Sequence, residues 1–301
     1  MNYLKNKLQN VEGIDVSKIS DKTALKVSNF YQSKPFPNYK TDDDKISVSE
    51  RGDKNFLAKQ FKDFVGYNKK ILEVGCGTGQ LSVYFANGNN NLIVSLDATI
   101  ESLKVAKKFS KKNFIENIKF LNADIFDDTL SDNFFDFIWC NGVLHHTKDP
   151  YKAFKIIIKS LKPSGYVLVG LYNKYGRIRT LMRKFFFKIF GEKILRLFDP
   201  TLDKLKVSLD EKNAWIQDQY QHPQESLHTL DEVIGWFEKN NIEFISSIPD
   251  CDFENEPQKS IFTLSSKGNL ATRLINQISM LFNSLGDDGG LFVVIGKKSE
   301  S

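Results

Sequence analysis

The stretch ILEVGCGTGQ, residues 71–80, runs from a near-continuous apolar segment into three glycines spaced two apart. A strand that enters a glycine-rich turn and then a helix presents backbone N–H groups to whatever lies beside it. Glycine, having no Cβ, tolerates positive φ and a close approach. Gln80 stands where the dinucleotide-type pattern G-x-G-x-x-G needs its third glycine, so the spacing here is E-x-G-x-G-x-G with Glu73 at the strand end. Taken alone, such a loop is as readily a tight strand-to-helix turn with no ligand.

The flanking segments favour a ligand. Residues 70–75, 91–97, 118–124, 135–141 and 166–172 are near-continuously apolar and separated by helical patterns. That alternation predicts parallel strands buried on both faces of an open, doubly wound sheet. Asp97 ends the second strand and Asp124 the third. Ligands of such sheets lie beyond the carboxyl ends of the strands, where one carboxylate can accept from both ribose hydroxyls and another from an exocyclic amine. KPSG, residues 162–165, reads as the turn before the fifth strand.

Further on, residues 175–198 place Ile178, Leu181, Met182, Phe185, Phe186, Ile189 and Phe190 on one helical face. Arg177, Arg179, Arg183, Lys184 and Lys188 occupy the other. Three readings stand: a cap helix with its apolar face buried, a lid lining an apolar pocket, and an interfacial membrane helix. Thr229 and Glu232 form a T-x-x-E capping box. Strands at 242–248 and 291–298 enclose a helical segment near 269–285. The organisation is an N-terminal arm or lid over residues 1–52 and a sheet domain over 53–301. Helical insertions fall at about 175–228 and 249–288.

Composition narrows the class. The 301 residues are 41% hydrophobic and 26% charged, as in ordinary globular proteins. A net charge of +5 over this length does not argue for nucleic acid or a membrane surface. Cys76, Cys140 and Cys251 are sparse and far apart, which fits a reducing, cytoplasmic setting and no disulfide frame. No signal peptide and no run long enough to span a membrane are visible.

The segments ILEVGCGTGQLSVYFA, LIVSLDATIESLKVAKK, IKFLNADIFDDTL, FFDFIWCNGVLHHTKDP and LKPSGYVLVGLY resemble, in order and spacing, the motifs of class I S-adenosylmethionine-dependent methyltransferases over about residues 65–172. Nicotinamide dinucleotide is the competing cofactor. The resemblance implies a Rossmann-like, doubly wound α/β fold with seven strands, mostly parallel with an antiparallel last strand, for which LFVVIGKK (291–298) is the candidate. It implies that Glu73, Gly75, Cys76, Gly77 and Gly79 hold the methionine moiety and that Asp97 binds the ribose. Asp124 and Ile125 would read the adenine, and Ala98 and Asn141 complete the cofactor set.

The acceptor is less legible. After the fourth strand the chain has NGVLHH, not the N/D-P-P-Y/F of base-amine methyltransferases. That resembles the small-molecule branch, including uncharacterised bacterial members. His145 and His146 are candidate bases, and packing under the cofactor is their plainer role. The segment FYQSKPFPNYK (30–40) is either a lid over the cofactor or an arm packed on the sheet. Residues 215–229 concentrate Trp215, Asp218, Tyr220, His222, Glu225 and His228, with Tyr220 and His222 the preferred acceptor contacts. The spacings there match no common metal site. The reading is methyl transfer to an oxygen or nitrogen of a small or lipid-like acceptor, with peripheral membrane contact a secondary possibility. The alternatives are an RNA methyltransferase and a cofactor-binding protein without turnover.

Overall fold

A computed structural model describes residues 2–32, 35–191, 216, 219–220, 222, 224–253, 260–282 and 290–300. Among them nine strands form one sheet: β1 (Gln9–Val11), β2 (Ile14–Val16), β3 (Lys70–Val74), β4 (Leu92–Asp97), β5 (Ile118–Asn122), β6 (Phe135–Asn141), β7 (Leu161–Tyr172), β8 (Ile242–Ile248) and β9 (Leu291–Lys298). Their order is β1-β2-β5-β4-β3-β6-β7-β9-β8. β3 runs parallel to β4 and β6, β4 to β5, and β6 to β7, whereas β9 is antiparallel to both β7 and β8. The strand order therefore reverses beside β3. That is where an open sheet leaves a crevice at its carboxyl edge.

All seven expected strands are present, but the count is nine. The two additions are a hairpin from the N-terminal arm, with β2 parallel to β5. Its turn, Glu12 and Gly13, has φ of 52° and 84°, the left-handed pair a two-residue hairpin favours. The side chain of Asn10 accepts from the Gly13 N–H at 3.0 Å. Three-residue strands with polar side chains give no periodic signal, so the arm read as an appendage.

The helices, in chain order, are α1 (Lys22–Gln32), α2 (Lys45–Lys54), α3 (Phe56–Val65), α4 (Gln80–Ala86), α5 (Ile100–Lys112), α6 (Pro150–Lys159), α7 (Ile178–Phe190), α8 (Leu230–Glu238) and α9 (Leu270–Ser279). Strand alternation assigns them to two layers. Leu72, Val74, Ile138 and Cys140 join the core with Phe154 of α6 and Phe237 of α8. Ile71, Phe137 and Trp139 join the one with Phe61 of α3, Phe85 of α4 and Leu103 of α5. Both sheet faces are thus apolar, which is why the strands read as unbroken hydrophobic runs.

Three local expectations change. KPSG is not a turn ahead of the strand: β7 begins at Leu161, and the chain passes 162–165 with a register shift and Ser164 at φ 60°. Thr229 caps α8 by accepting from the Glu232 N–H at 3.2 Å, but the return bond of the box is missing. Glu232 instead pairs with His228 Nδ1 at 3.0 Å. Finally, α7 does not bury its apolar face: Leu181, Met182, Phe185, Phe186 and Ile189 are exposed. Residues 192–198 of the expected helix lie outside the described residues, as do Trp215 and Asp218.

Candidate active site

A cavity of about 380 Å³ opens at the carboxyl ends of β3, β4 and β6. It is lined by Glu73, Gly75, Cys76, Gly77, Asp97, Ala98, Asp124, Ile125 and Asn141, all singled out from the sequence. Gly79 is not in the lining. It is the left-handed residue before α4, with φ of 76°, and a Cβ there would come within 2.8 Å of Ala106 Cβ. Its role is helix packing.

The other two glycines also admit the protein's own atoms. A Cβ on Gly75 would overlap the Val143 side chain, and one on Gly77 would overlap the Phe36 carbonyl oxygen. Both have positive φ, 67° and 54°. The N-terminal arm therefore lies directly against the glycine turn. The Thr78 hydroxyl donates to the Pro37 carbonyl, the Tyr39 hydroxyl donates to the Thr78 carbonyl at 3.0 Å, and Gln80 Nε2 donates to the Asn38 carbonyl at 2.9 Å. Asp21, Ala24, Val27 and Tyr31 of the same arm line the cavity, and Asp21 pairs with Lys148 across its rim.

Two buried acids, Glu73 and Asp124, and the half-buried Asp97 give the floor its character. Asp97 accepts from the backbone N–H of Gly77 at 2.8 Å and of Thr99 at 2.7 Å, tying the turn to the start of α5. Burial raises its carboxyl against those two bonds. Asp124 caps a short 3-10 turn by accepting from the Phe126 N–H at 3.1 Å, and burial raises its carboxyl too. Glu73 accepts from the Ser82 hydroxyl, whose oxygen lies 2.6 Å from that of Ser95. Burial, with the nearby Asp97 charge, pushes Glu73 up to about 8 from an ordinary 4.5.

Glu73 thus remains protonated when folded over a range where the unfolded chain has lost that proton. Folding stability should fall as pH rises from about 4.5 to about 8, then level off. Glu73→Gln, which mimics the neutral acid, is expected to match the parent at the acid end. Above pH 8 it should be more stable by roughly 2–4 kcal/mol. Urea melts across that range check this; parallel pH dependences in the two proteins would refute it.

The far end of the cavity carries His146, Tyr172 and Gln219. His146 Nδ1 is 2.7 Å from the Gln224 carbonyl oxygen, which can only accept. Nδ1 therefore carries the hydrogen and Nε2 the lone pair. Burial lowers His146 to about 4, so its ring is neutral at physiological pH. His222 packs against it, the rings tilted by 31° with centroids 3.6 Å apart, behind the cavity wall. His145 is wholly buried against Tyr172, at 4.0 Å, outside the lining, with both ring nitrogens unpartnered and its basicity depressed by burial. Tyr220 packs with Ile216 and Phe187, also outside the lining.

Sequence reasoning missed Tyr172, Gln219 and the buried Arg177 behind them. The Arg177 guanidinium lies 3.6 Å from the Tyr172 ring centroid, and its Nη1 donates to Gln219 Oε1 at 2.6 Å. Tyr172 ends a strand already read and was within reach of that logic. Arg177 carried no signal, since helical spacing assigned it to a solvated basic face.

A family model described as a methyltransferase domain matches residues 66–226. The chain is 27% identical, over 58% of its length, to an uncharacterised protein of Synechococcus sp., 48% of which is covered. It is 31% identical over 110 residues to the ubiquinone/menaquinone biosynthesis C-methyltransferase UbiE of Pectobacterium carotovorum, a match covering 36% of this chain and 44% of that one. The matches thus span about half the length of these curated relatives. In fold it is similar to the magnesium protoporphyrin IX methyltransferase of Synechocystis, solved with bound SAH (S-adenosylhomocysteine). The TM-score is 0.53 at 10% identity, covering 92% of this chain and all of that one.

Proposed function

The chain belongs to the class I S-adenosylmethionine-dependent methyltransferases, and from that membership we propose that it moves a methyl group to an oxygen or nitrogen of a small or lipid-like acceptor. The observation that carries this reading is the continuity of one cavity. The glycine turn, Asp97 and Asp124 line one end, and His146, Tyr172 and Gln219 line the other. The residues fit the cofactor: the carboxylates of Asp97 and Asp124 stand in the cavity lining beside the glycine turn, acceptors for a ligand's hydroxyl and amine groups. Asp97 would hold the ribose and Asp124 the adenine. When bound, the cofactor supplies a methyl already activated on a sulfonium.

What remains for the chain is alignment and exclusion of water. Holding a nucleophile in line can supply about 7–11 kcal/mol of barrier lowering in well-oriented systems. The arm against the glycine turn serves the exclusion. Titration calorimetry with S-adenosylhomocysteine, and release of that product from S-adenosylmethionine with the small-molecule fraction of a cell extract, test the proposal. Absence of binding would sink the cofactor assignment. Binding without release above background would sink the transfer.

In this reading His146, which lines the cavity, takes the acceptor's proton through Nε2. His146→Ala is expected to lower kcat by about 10²–10⁴ while leaving S-adenosylhomocysteine affinity unchanged. Because the ring stays neutral down to about pH 4, the acid limb of the parent's rate profile should lie near that value, not near 6.5. Turnover then falls as pH falls through about 4. An acid limb at 6.5, or unchanged turnover in the variant, would remove His146 from this role.

A further inference from the structure

α7 and α9 are amphipathic helices turned inside out. α7 buries Arg177 at its start and Thr180, half-buries Arg183 and Lys184, and presents its apolar stripe to solvent, with Met182 56% and Phe185 61% exposed. α9 buries Gln277 and leaves Leu274, Ile275 and Ile278 exposed, with Phe282 just beyond. The two adjoin: Arg179 Nη1 donates to the Leu281 carbonyl at 3.3 Å. Single exposed apolar side chains are ordinary, but two neighbouring stripes form a surface that calls for a partner.

Charge says which partner. Neither helix carries an Asp or Glu, while α7 carries Arg179, Arg183, Lys184 and Lys188. A second copy of the chain meeting this face across a two-fold axis would bring like charges together. An anionic lipid surface accepts both the apolar stripe and the cations. No described helix is long and apolar enough to cross a membrane. α7, at 13 residues, has a length suited to lying in an interface.

We propose that α7 and α9 together dock the protein on an anionic lipid surface, their exposed stripes inserted and the exposed Arg179 and Lys188 at headgroup level. Tyr172 and Leu291, which line the cavity, lie beside the start of α7 and the end of α9: the Asn173 N–H donates to the Gly290 carbonyl at 2.8 Å, and Gly176 packs against Gly290 and Met280. Docking therefore brings the cavity beside the bilayer, where a lipid-like acceptor concentrates. The docking itself does not depend on the transferase reading.

The test is vesicle flotation of the full chain, with phosphatidylcholine alone or with roughly a third phosphatidylglycerol. The expected result is at least about tenfold more bound protein on the anionic vesicles, weakened by salt. Met182→Glu/Phe185→Glu should abolish it and Arg179→Glu/Lys188→Glu should reduce it, with melting curves and S-adenosylhomocysteine titrations unchanged. If the first pair fails to fold, Ile275→Glu/Phe282→Glu serves in its place. No flotation, flotation indifferent to these substitutions, or self-association that the same substitutions dissolve would each overturn the proposal.

Discussion

Replacing Asp97 with Ala is expected to weaken S-adenosylhomocysteine binding by about 100-fold or more. The side chain accepts from Gly77 N–H and Thr99 N–H at 2.8 and 2.7 Å, so it anchors the glycine turn as well as facing the cavity. Its removal leaves two buried donors without an acceptor, at about 1–3 kcal/mol each, and deprives the ligand of a charged acceptor. Gly77 is held at φ 54° under the Phe36 carbonyl, so a loosened turn also loosens the arm above it. Asp97→Asn keeps one oxygen but turns an amide donor toward donors, and should fall between Ala and the parent. Titration calorimetry on each variant, with a melting curve to confirm folding, measures this. A folded Asp97→Ala protein that binds like the parent would remove Asp97 from the site.

The strand ends were legible in the sequence because burial on both faces forces unbroken apolar runs, and the residue ending each run falls at the carboxyl edge. Asp97 and Asp124 were found that way, Glu73 and Asn141 through the family resemblance, and all four line the cavity. The glycines were legible as backbone positions, since Gly75, Gly77 and Gly79 all take positive φ. Which atoms approach them was not, because Val143, Phe36 and Ala106 come from three separate parts of the chain. The acceptor end was hidden for the same reason: it joins Tyr31, His146, Tyr172, Gln219 and Leu291. The polarity of α7 failed differently. A 3.6-residue period states which side chains share a face, but only tertiary contacts state which face turns inward. Here the acceptors Glu225 and Gln219 draw Arg177 and Lys184 inward, while Arg179 and Lys188 stay exposed.

Arg177→Met carries the largest expected cost to folding, about 3–5 kcal/mol. The guanidinium is wholly buried and donates through Nε to Glu225 Oε1 at 3.0 Å and through Nη2 to Oε2 at 3.2 Å. Its Nη1 donates to Gln219, and its plane covers Tyr172. Removing it strands a nearly buried carboxylate whose other cation among the described residues, Lys184 Nζ, is 3.9 Å away and one-third exposed. Glu225→Gln in the same chain removes the stranded charge, so the double variant should regain most of the loss. An independent contribution from each residue would instead make the losses add. Because Arg177 braces Tyr172 and Gln219, S-adenosylhomocysteine affinity should hold in the folded fraction while turnover drops. Urea melts of both single variants and the double, read beside titrations with that ligand, decide the matter. Parent-like stability in Arg177→Met, or strictly additive losses in the double, would show that the buried pair does not hold the acceptor end in place.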